Sequence, residues 1–508
     1  MAGNIMVQGT GSSVGKSVIA AGLCRLFKRE GLKAVPFKSQ NMALNSYVTS
    51  EGLEMGRAQV FQAEAAGIEP RVTMNPVLLK PSGEEGSQVI VNGKPRENMT
   101  AEKYYNFKPR LKEIIREAYQ KLKEEYDVIV IEGAGSPAEI NLQENDIVNM
   151  GLARMVDAPV LLAGDIDRGG VFAALYGTVK LLPERDRRRI KGLIINKFRG
   201  DKKLLEPGLK EMEEMLGIPF LGVLPYLELA LDDEDSLSER LSQRSRSRGG
   251  LQVKIILLPH ISNFTDFNPL EMYEDLNISY IKDPGELAEA DLVIIPGSKN
   301  TLADRIFLRE RGFDRPLQEY AEAGGVLLGI CGGFQMLGEE LADPQGVESS
   351  LREVPGLNLL PIKTCLAGEK KTLQVEGSWQ YQDDELFSGL KDISLTGYEI
   401  HMGQTVITED KAVQPLSSRG EDSGDVISLV NQEGNIFGTY WHGLFENKAW
   451  TTGFINNLRR SLNLDAVGSP GLSYQELKER EYDKLADLLA RELDQELLYS
   501  LAGLSRSS

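Results

Sequence analysis

Residues 9–17, GTGSSVGKS, combine closely spaced glycines with a lysine and a serine, which are residue types that bind phosphate groups. A glycine-rich turn between a strand and a helix points backbone N–H groups at a phosphate, and the helix N-terminus adds favourable partial charge. In such a loop Lys16 neutralises the β- and γ-phosphates of ATP and the Ser17 hydroxyl ligates Mg²⁺. The spacing differs from the common G-x-x-x-x-G-K-[ST] loop, because the first glycine is Gly9 and Thr10 occupies its usual place.

We predict a nucleotide-binding loop of a longer variety, and a glycine-rich turn without ligand is the alternative. Its predicted cofactor-binding residues are Gly9, Thr10, Gly11, Ser13, Val14, Gly15, Lys16 and Ser17. Lys38, in PFKSQNMALNS after the second strand-like run, and Asn196, which opens NKFRGD, are predicted to contact the same nucleotide. NKFRGD is similar to a base-reading N-K-x-D loop, and a simple turn at a strand end is the alternative.

Acidic residues surround this predicted site. Glu132 ends the apolar run VIVIE, where a carboxylate can hold Mg²⁺ together with Ser17, and a solvated loop acid is the alternative. Asp146 lies in QENDIVNMG, and DIDRGG adds further acids from Asp165 onward. Helix caps or surface charges are the other interpretation of these acids. Because they cluster around one site, we predict functional roles and assign Asp146 to catalysis.

A second candidate site centres on GGVLLGICGGFQML, where an apolar run ends in G-I-C-G-G before a helical segment. Flanking glycines permit the strained turn of a nucleophile elbow, so Cys331 is the predicted nucleophile. A thiolate at a helix N-terminus has a lowered pKa and is the attacking species. A small buried core cysteine is the alternative. Of three histidines, His442 in GTYWHGLFEN follows a strand and is the predicted base.

This combination resembles the class I glutamine amidotransferases, which release ammonia from glutamine through a cysteinyl thioester. The resemblance implies an oxyanion hole formed by the backbone of Gly297 and Ser298, in PGSKN, and by the N–H of Gly332. One departure concerns the third member of the triad. The class I pattern has a glutamate two residues after the histidine, where this chain has Leu444, and Glu446 is displaced.

The third member of the triad therefore stays open. Glu399 and His401 in GYEIHMG are candidates for an orienting group or a substrate contact, and a structural role is as plausible.

Two series of buried strands must position these residues. The runs NIMVQG, KAVPF, YDVIVIEG, APVLLAGD and KGLIINK alternate with helical stretches such as 17–30 and 101–125, which predicts a parallel sheet covered on both faces. A second series begins at VKIILLPH. We predict two doubly wound α/β domains, the first P-loop NTPase-like and the second flavodoxin-like.

The predicted domain boundaries follow from these series. They are a synthetase domain at 1–235, a linker at 236–250, an amidotransferase domain at 251–460 and a helical tail at 461–508. Between 346 and 399 we expect antiparallel strands and loops. The tail has leucines at helical spacing, and either the second domain or a second subunit could receive it.

Composition limits the classes of function. The 508 residues carry a net charge of -18, which argues against nucleic acid as a partner. Three scattered cysteines favour a reducing, cytoplasmic setting over a disulfide framework. Neither a membrane-spanning run nor a secretion signal is recognisable, so no membrane partner is expected.

The longer phosphate loop resembles that of the dethiobiotin synthetase family, which phosphorylates a carboxylate-derived group. Along the chain PFKSQNMALNS, NDIVNMG, DIDRGG, PGSKNT, GICGGFQML and GYEIHMG occur in the order found in the cobyric acid synthases of the cobalamin pathway. That resemblance covers residues 1 to about 460. It implies ATP- and glutamine-dependent amidation of the b, d, e and g carboxylates of adenosylcobyrinic acid a,c-diamide, a corrinoid, with Mg²⁺ as cofactor and a homodimer as one possible assembly.

Three alternatives remain open at this point. The cobyrinic acid a,c-diamide synthases share the architecture, although KSQNMALNS favours the first family. An amidase of cell-wall lipid precursors is a second enzymatic alternative, but that activity is usually split over two chains. A non-catalytic alternative is a partitioning-type ATPase switch with an inactive amidotransferase domain as a binding module.

Overall fold

The structure of the protein is a computed structural model that describes residues 2–81, 86–229, 250–383, 385–409, 413–415, 417–419 and 426–505. Except for Gly250, the predicted linker 236–250 lies outside the described residues. Within these ranges, no helix has both the length and the apolar character needed to cross a membrane.

The N-terminal half is built on a parallel sheet with smaller sheets beside it. Its described strands are β1 (Gly3–Gly9), β2 (Ala34–Phe37), β3 (Gln40–Met42), β4 (Ser46–Val48), β5 (Glu54–Gly56), β6 (Val77–Pro81), β7 (Gly86–Val91), β8 (Lys94–Thr100), β9 (Val128–Glu132), β10 (Val160–Asp165), β11 (Ile190–Phe198) and β12 (Phe220–Pro225). Its described α-helices are α1 (Lys16–Arg29), α2 (Arg57–Ala66), α3 (Ala101–Glu125), α4 (Met150–Val156), α5 (Val171–Leu181), α6 (Glu184–Arg187) and α7 (Glu206–Leu216).

Six of these strands form the main sheet in the order β12-β11-β10-β1-β9-β2, and every neighbouring pair is parallel. Their side chains are almost all buried, as the continuous apolar runs predict for a sheet covered on both faces. β1 lies between β9 and β10, so the loop that follows β1 opens at the carboxyl edge of the sheet between two neighbouring strand ends.

Smaller sheets are inserted between β2 and α3. One has the order β3-β6-β7-β8, and β4 pairs with β5. This insertion places a hairpin and the start of α3 beside the carboxyl edge of the main sheet, where they form one wall of the site described below.

The C-terminal half contains a second layered sheet and a long hairpin. Its described strands are β13 (Leu251–Ile256), β14 (Ile261–Ser262), β15 (Leu276–Ile281), β16 (Leu292–Ile295), β17 (Gly297–Ser298), β18 (Val326–Ile330), β19 (Glu340–Ala342), β20 (Glu353–Pro355), β21 (Ile362–Trp379), β22 (Ser394–Ile407), β23 (Val413–Pro415), β24 (Ser417–Arg419), β25 (Ser428–Asn431) and β26 (Ile436–Thr439). Its described α-helices are α8 (Thr301–Glu310), α9 (Asp314–Glu322), α10 (Gly332–Met336), α11 (Lys448–Ser461), α12 (Tyr474–Glu492) and α13 (Gln495–Leu501).

The second main sheet has the order β15-β13-β16-β18-β26-β25-β23. The first five strands are parallel, and β25 and β23 extend the sheet in antiparallel fashion. The predicted α/β class is therefore confirmed for both halves. The antiparallel strands expected between 346 and 399 are also confirmed, since β21 and β22 form a long antiparallel pair.

The C-terminal tail returns to the N-terminal half. Helix α12 begins with a capping box at Ser473 and packs along α1. The Arg25 guanidinium on α1 forms 2.8 Å ion pairs with Glu479 and with Asp483 on α12. This location differs from both options that the sequence left open, because the leucines of α12 cover the outer face of α1 rather than the second half of the chain or another subunit.

Candidate active sites

The predicted phosphate loop joins β1 to α1 at the carboxyl edge of the first sheet. A Cβ on Gly9 would lie 2.3 Å from Val14 Cγ2, so the first glycine of the longer loop makes room for a side chain of the loop itself. Lys16 Nζ donates to the Gly11 carbonyl at 2.7 Å, which places the ammonium across the mouth of the loop. The loop geometry therefore fits a phosphate group, with Lys16 as its cation.

Glu132 lies at the end of β9 beside the start of α1, as predicted. Its Oε1 accepts hydrogen bonds from Ser17 Oγ at 2.9 Å and from Lys38 Nζ at 2.8 Å. Burial by itself would raise the pKa of Glu132, but the Lys38 charge, hydrogen bonds from Lys38 and Gln62 and the Lys16 charge outweigh it and hold the pKa below its usual range. The carboxylate is therefore ionised, and with the Ser17 hydroxyl it offers the oxygen ligands that Mg²⁺ prefers.

Two glutamines on α2 complete this cluster, and sequence reasoning missed them. Gln62 Nε2 lies 2.5 Å from Glu132 Oε2, and Gln59 Nε2 lies 3.4 Å from the same oxygen. Within the described chain, the buried Oε1 atoms of both glutamines have no hydrogen-bond partner. Orphaned buried oxygens beside an ionised carboxylate and a hydroxyl are consistent with a hydrated cation at this position.

Asn196 and its neighbour Lys197 hydrogen-bond to the phosphate loop. Its Nδ2 donates to the Val14 carbonyl at 2.8 Å, and Lys197 Nζ donates to the Ser13 carbonyl at 2.8 Å. Lys197 also lies 3.2 Å from Asp165, whose carboxylate accepts from the Asp167 backbone N–H. Asn196 and Lys197 therefore bind the loop through its carbonyl groups, with Asp165 paired to Lys197, and the predicted contact of Asn196 with the nucleotide stays a prediction.

Asp146 lines the same cavity as the phosphate loop, and its carboxylate is hydrogen-bonded to backbone. It accepts from the N–H groups of Val148, Asn149 and Gly151 at 2.8, 2.9 and 2.7 Å. Val148 and Asn149 lie just before α4 and Gly151 lies in its first turn, so Asp146 ties the segment before α4 to the start of the helix. These bonds hold Asp146 at the cavity wall, and the catalytic role predicted for it stays a prediction.

A cavity of about 1090 Å³ connects these residues with the C-terminal half. Lys16, Ser17, Lys38 and Glu132 lie at one end of it. The wall also includes Pro259, Ile261 and Phe264 of the second half, together with the start of α3 and the β7–β8 hairpin. The nucleotide-binding end is therefore continuous with space that reaches the other half of the chain.

The predicted nucleophile elbow is present at Cys331 between β18 and α10. The residue has φ 53° and ψ −110°, a strained conformation for a non-glycine residue. A Cβ on Gly332 would lie 2.8 Å from the Ser298 backbone nitrogen, so glycine permits the close approach of the elbow to β17. The predicted oxyanion residues Gly297, Ser298 and Gly332 therefore come together beside Cys331.

His442 and an unpredicted aspartate complete the second site. His442 Nδ1 lies 2.6 Å from Asp266 Oδ2, and both side chains are buried. The Gly443 backbone N–H donates to Asp266 Oδ1 at 3.2 Å, which fixes the carboxylate. Burial opposes the charged imidazole, but Asp266 by charge and hydrogen bond, and the adjacent Cys331 thiol, raise the pKa of His442 to about 10. Asp266 is therefore the third member that the sequence left open.

The other candidates for that third position are engaged elsewhere. Glu399 Oε2 lies 3.4 Å from His401 Nε2, and the His401 ring stacks on Tyr440 with centroids 3.8 Å apart. Glu446 Oε1 lies 3.7 Å from the Arg57 guanidinium on α2. GYEIHMG nevertheless borders the site, because the Ile400 carbonyl lies 3.5 Å from Cys331 Sγ.

Asp266 carried a weak signal in the sequence. It lies in ISNFTDFNPL, where an acid stands between aromatic and other apolar residues. A buried acid in such a segment needs a partner, but nothing in the linear order indicates which of the histidines provides it.

Comparisons with protein families match both halves. Residues 5–237 match the CobQ/CobB/MinD/ParA nucleotide binding domain, and residues 252–450 match the CobB/CobQ-like glutamine amidotransferase domain. These two models together cover the phosphate loop, Glu132, Cys331, Asp266 and His442.

Whole-chain relatives extend the comparison. A protein of Alkaliphilus metalliredigens (strain QYMF) named cobyric acid synthase is 50% identical over 502 residues, which is 98% of this chain and 99% of that protein. Proteins with the same name from Caldanaerobacter subterraneus and from Thermoanaerobacter sp. (strain X514) are 49% and 47% identical, and each match covers 99% of both chains. Among solved structures, PurLQS from Thermotoga maritima matches at 17% identity over 48% of this chain and 100% of that chain, with a TM-score of 0.31.

Proposed function

The chain belongs to the cobyric acid synthase family of ATP-dependent glutamine amidotransferases, and from this membership we propose a division of the reaction between its two sites. Residues 1–235 activate carboxylates of a corrinoid with ATP, and residues 251–460 supply ammonia from glutamine. The substrate is adenosylcobyrinic acid a,c-diamide, amidated at its b, d, e and g carboxylates, as the sequence resemblance implies.

The activation step is assigned to the cavity at the phosphate loop. A carboxylate is a poor electrophile, so a substrate oxygen attacks the γ-phosphorus of ATP and forms an acyl phosphate, and ADP leaves. The loop amides and Lys16 hold the phosphates, while Ser17 and Glu132 would ligate Mg²⁺, which screens the phosphate charge. Ammonia then attacks the acyl carbon, and inorganic phosphate departs with the former carboxylate oxygen.

The glutaminase step is assigned to Cys331, His442 and Asp266. The Cys331 thiolate attacks the side-chain amide carbon of glutamine, and the Gly297–Ser298 backbone with the Gly332 N–H stabilises the resulting oxyanion. Imidazolium His442 gives its proton to the leaving nitrogen, releasing ammonia and leaving a thioester. A water molecule deprotonated by His442 hydrolyses the thioester to glutamate, and Asp266 keeps the imidazole oriented throughout.

One observation carries this proposal. A Cys-His-Asp arrangement with a 2.6 Å His442–Asp266 contact and a phosphate loop with its own carboxylate occur in one chain, and the cavity at the phosphate loop reaches Ile261 and Phe264 of the half that carries the triad. An ATPase switch with an inactive binding module has no need of a buried, aligned nucleophile and base. A cytoplasmic, reducing setting belongs to the proposal, because Cys331 must remain a free thiol, and Cys24, Cys331 and Cys365 are all free.

Mass spectrometry of the corrinoid product tests the proposal. The purified chain is incubated with the a,c-diamide, ATP, Mg²⁺ and glutamine, and we expect a product that carries four additional amide groups. Parallel reactions without ATP or with ammonium chloride instead of glutamine separate the two half-reactions. Unchanged diamide with every nitrogen source would contradict the proposed substrate, and amidation without ATP would contradict the activation step.

A further inference from the structure

The cavity has a second end, away from the phosphate loop, that no step above uses. Its walls are the first two turns of α3, the β7–β8 hairpin and a segment that includes Leu142 and Asp146. Pockets for drug-sized ligands are typically about 300–1000 Å³. The whole cavity, at about 1090 Å³, exceeds that range, so it has space for a nucleotide and for part of a larger second substrate.

Lys108 is the cation at this end. Among the described residues that line the cavity, the other cations are Lys16, at the phosphate loop, and Lys38, on Glu132. Lys108 Nζ lies 5.9 Å from the ring centroid of Tyr104 and 5.7 Å from that of Tyr105. No carboxylate in the described ranges forms an ion pair with it, although Asp146 contributes favourable charge from a distance.

The surroundings of Lys108 are apolar and partly open. Tyr104 is buried and donates its hydroxyl to Gln40 Oε1 at 2.5 Å, which fixes the ring plane. Met42 is 60% exposed and Leu142 is 45% exposed, and both line the cavity. Large exposed apolar side chains at the rim of a cavity mark a surface that a partly apolar ligand covers.

We propose that Lys108, with Tyr104, Tyr105, Met42 and Leu142, forms the binding subsite for the corrinoid. The apolar and aromatic groups cover part of the macrocycle, while the ammonium binds a peripheral carboxylate other than the one being phosphorylated. The assignment rests on the proposed function, because it takes a polycarboxylate corrinoid as the substrate. It explains how one cavity holds a substrate whose reacting carboxylate must lie elsewhere in it, by Lys16 and Glu132.

A subsite that binds a carboxylate determines how strongly each successive intermediate is bound. Each amidation replaces a carboxylate with a neutral amide, so fewer carboxylates remain for Lys108 as the series proceeds. Loss of the ammonium therefore weakens binding of the a,c-diamide more than binding of the later intermediates, which have fewer carboxylates besides the one that must lie at the phosphate loop.

Steady-state kinetics of Lys108→Gln in the full chain test this inference. We expect the KM for the a,c-diamide to rise about 10- to 100-fold, the range for a lost hydrogen bond between charged groups, with the KM for ATP changed less than twofold. Lys108→Arg keeps the charge and is expected to retain most of the affinity. Lys121→Gln, an exposed lysine later on the same helix, is the matched control and should behave as wild type.

A second variant and the wild-type turnover make the outcome decisive. Leu142→Asp places a repelling charge at an exposed rim position that the fold does not need, and it should also raise the KM for the corrinoid alone. A corrinoid KM unchanged in both Lys108→Gln and Leu142→Asp overturns the subsite, and so does an equal rise in the KM for ATP, which would place Lys108 at the nucleotide. If the wild-type chain amidates no corrinoid, the proposed function fails, whereas normal wild-type turnover with unaffected variants refutes only the subsite.

Discussion

Replacing Asp266 with asparagine tests the triad directly. The change keeps the side-chain volume and a hydrogen-bonding group but removes a buried negative charge 2.6 Å from His442 Nδ1. With charge centres about 4 Å apart and an effective dielectric constant of about 20, the lost attraction is about 4 kcal/mol. Since about 1.4 kcal/mol corresponds to a tenfold change in rate, we expect glutaminase kcat/KM to fall about 10³-fold.

The pH profile supplies a second readout for Asp266→Asn. The pKa of His442 is raised to about 10, so the imidazolium that protonates the departing ammonia persists in the wild type far above the usual pH 6.5. The associated stabilisation of the fold is fully present below pH 6.5 and is lost as the pH rises through about 10. Without Asp266 the pKa of His442 falls, and the alkaline limb of glutaminase activity moves to lower pH.

The assay measures glutamate release together with amidation supported by ammonium chloride. Asp266→Asn should lose the first activity and keep the second, because the phosphate loop and its carboxylate are untouched. A glutaminase rate within threefold of wild type, or an unchanged alkaline limb, would refute the role assigned to Asp266. Equal loss of ammonia-dependent amidation would show that the substitution disturbs the whole fold.

Three other predictions address the remaining assigned residues. Cys331→Ala should abolish glutamine-dependent amidation and leave ammonium-dependent amidation intact. If the product assay shows that both activities are lost, the two sites are not separable. Asp146→Asn removes charge from a carboxylate that accepts from three backbone donors, so amidation should fall about tenfold with glutaminase unchanged, and thermal unfolding should show a lower Tm for the N-terminal half. Glu132→Gln should raise the Mg²⁺ concentration required for half-maximal amidation by at least tenfold, measured by metal titration, and an unchanged requirement would exclude Glu132 as a ligand.

The phosphate loop, Glu132 and Cys331 could be predicted because each depends on local sequence. A strand, a turn and a helix within about thirty residues determine where such a side chain points, and the glycines report the turn directly. Helix α3 was predicted with the bounds that the structure has, since its apolar spacing and its Thr100 cap are also local. Locally determined elements are the ones that a single sequence describes well.

Asp266, Gln59 and Gln62 could not be predicted for the opposite reason. Asp266 and His442 are 176 positions apart in the chain, and only the packing of the 264–272 segment against the end of β26 brings them together. The glutamines of α2 reach Glu132 across 70 or more positions. Long-range pairs depend on how the elements pack, and neither residue spacing nor hydrophobic period records that arrangement.

The same kind of packing explains why the two sites can work together. Ile261 lines the nucleotide cavity and pairs with Ser298, while its neighbour Ser262 pairs with Gly297. A Cβ on Gly297 would lie 3.6 Å from His442 Cε1, so the far side of this short ribbon belongs to the glutaminase site.

The two-stranded ribbon of β14 and β17 thus contacts the His442 site on one side and, through Ile261, the cavity at the phosphate loop on the other. Ammonia in water at neutral pH is mostly protonated and is then no nucleophile. Under the proposed function, two sites on opposite sides of one ribbon shorten the distance that neutral ammonia must cover before it reaches the activated carboxylate. Fusion of the two halves in one chain therefore has a chemical reason.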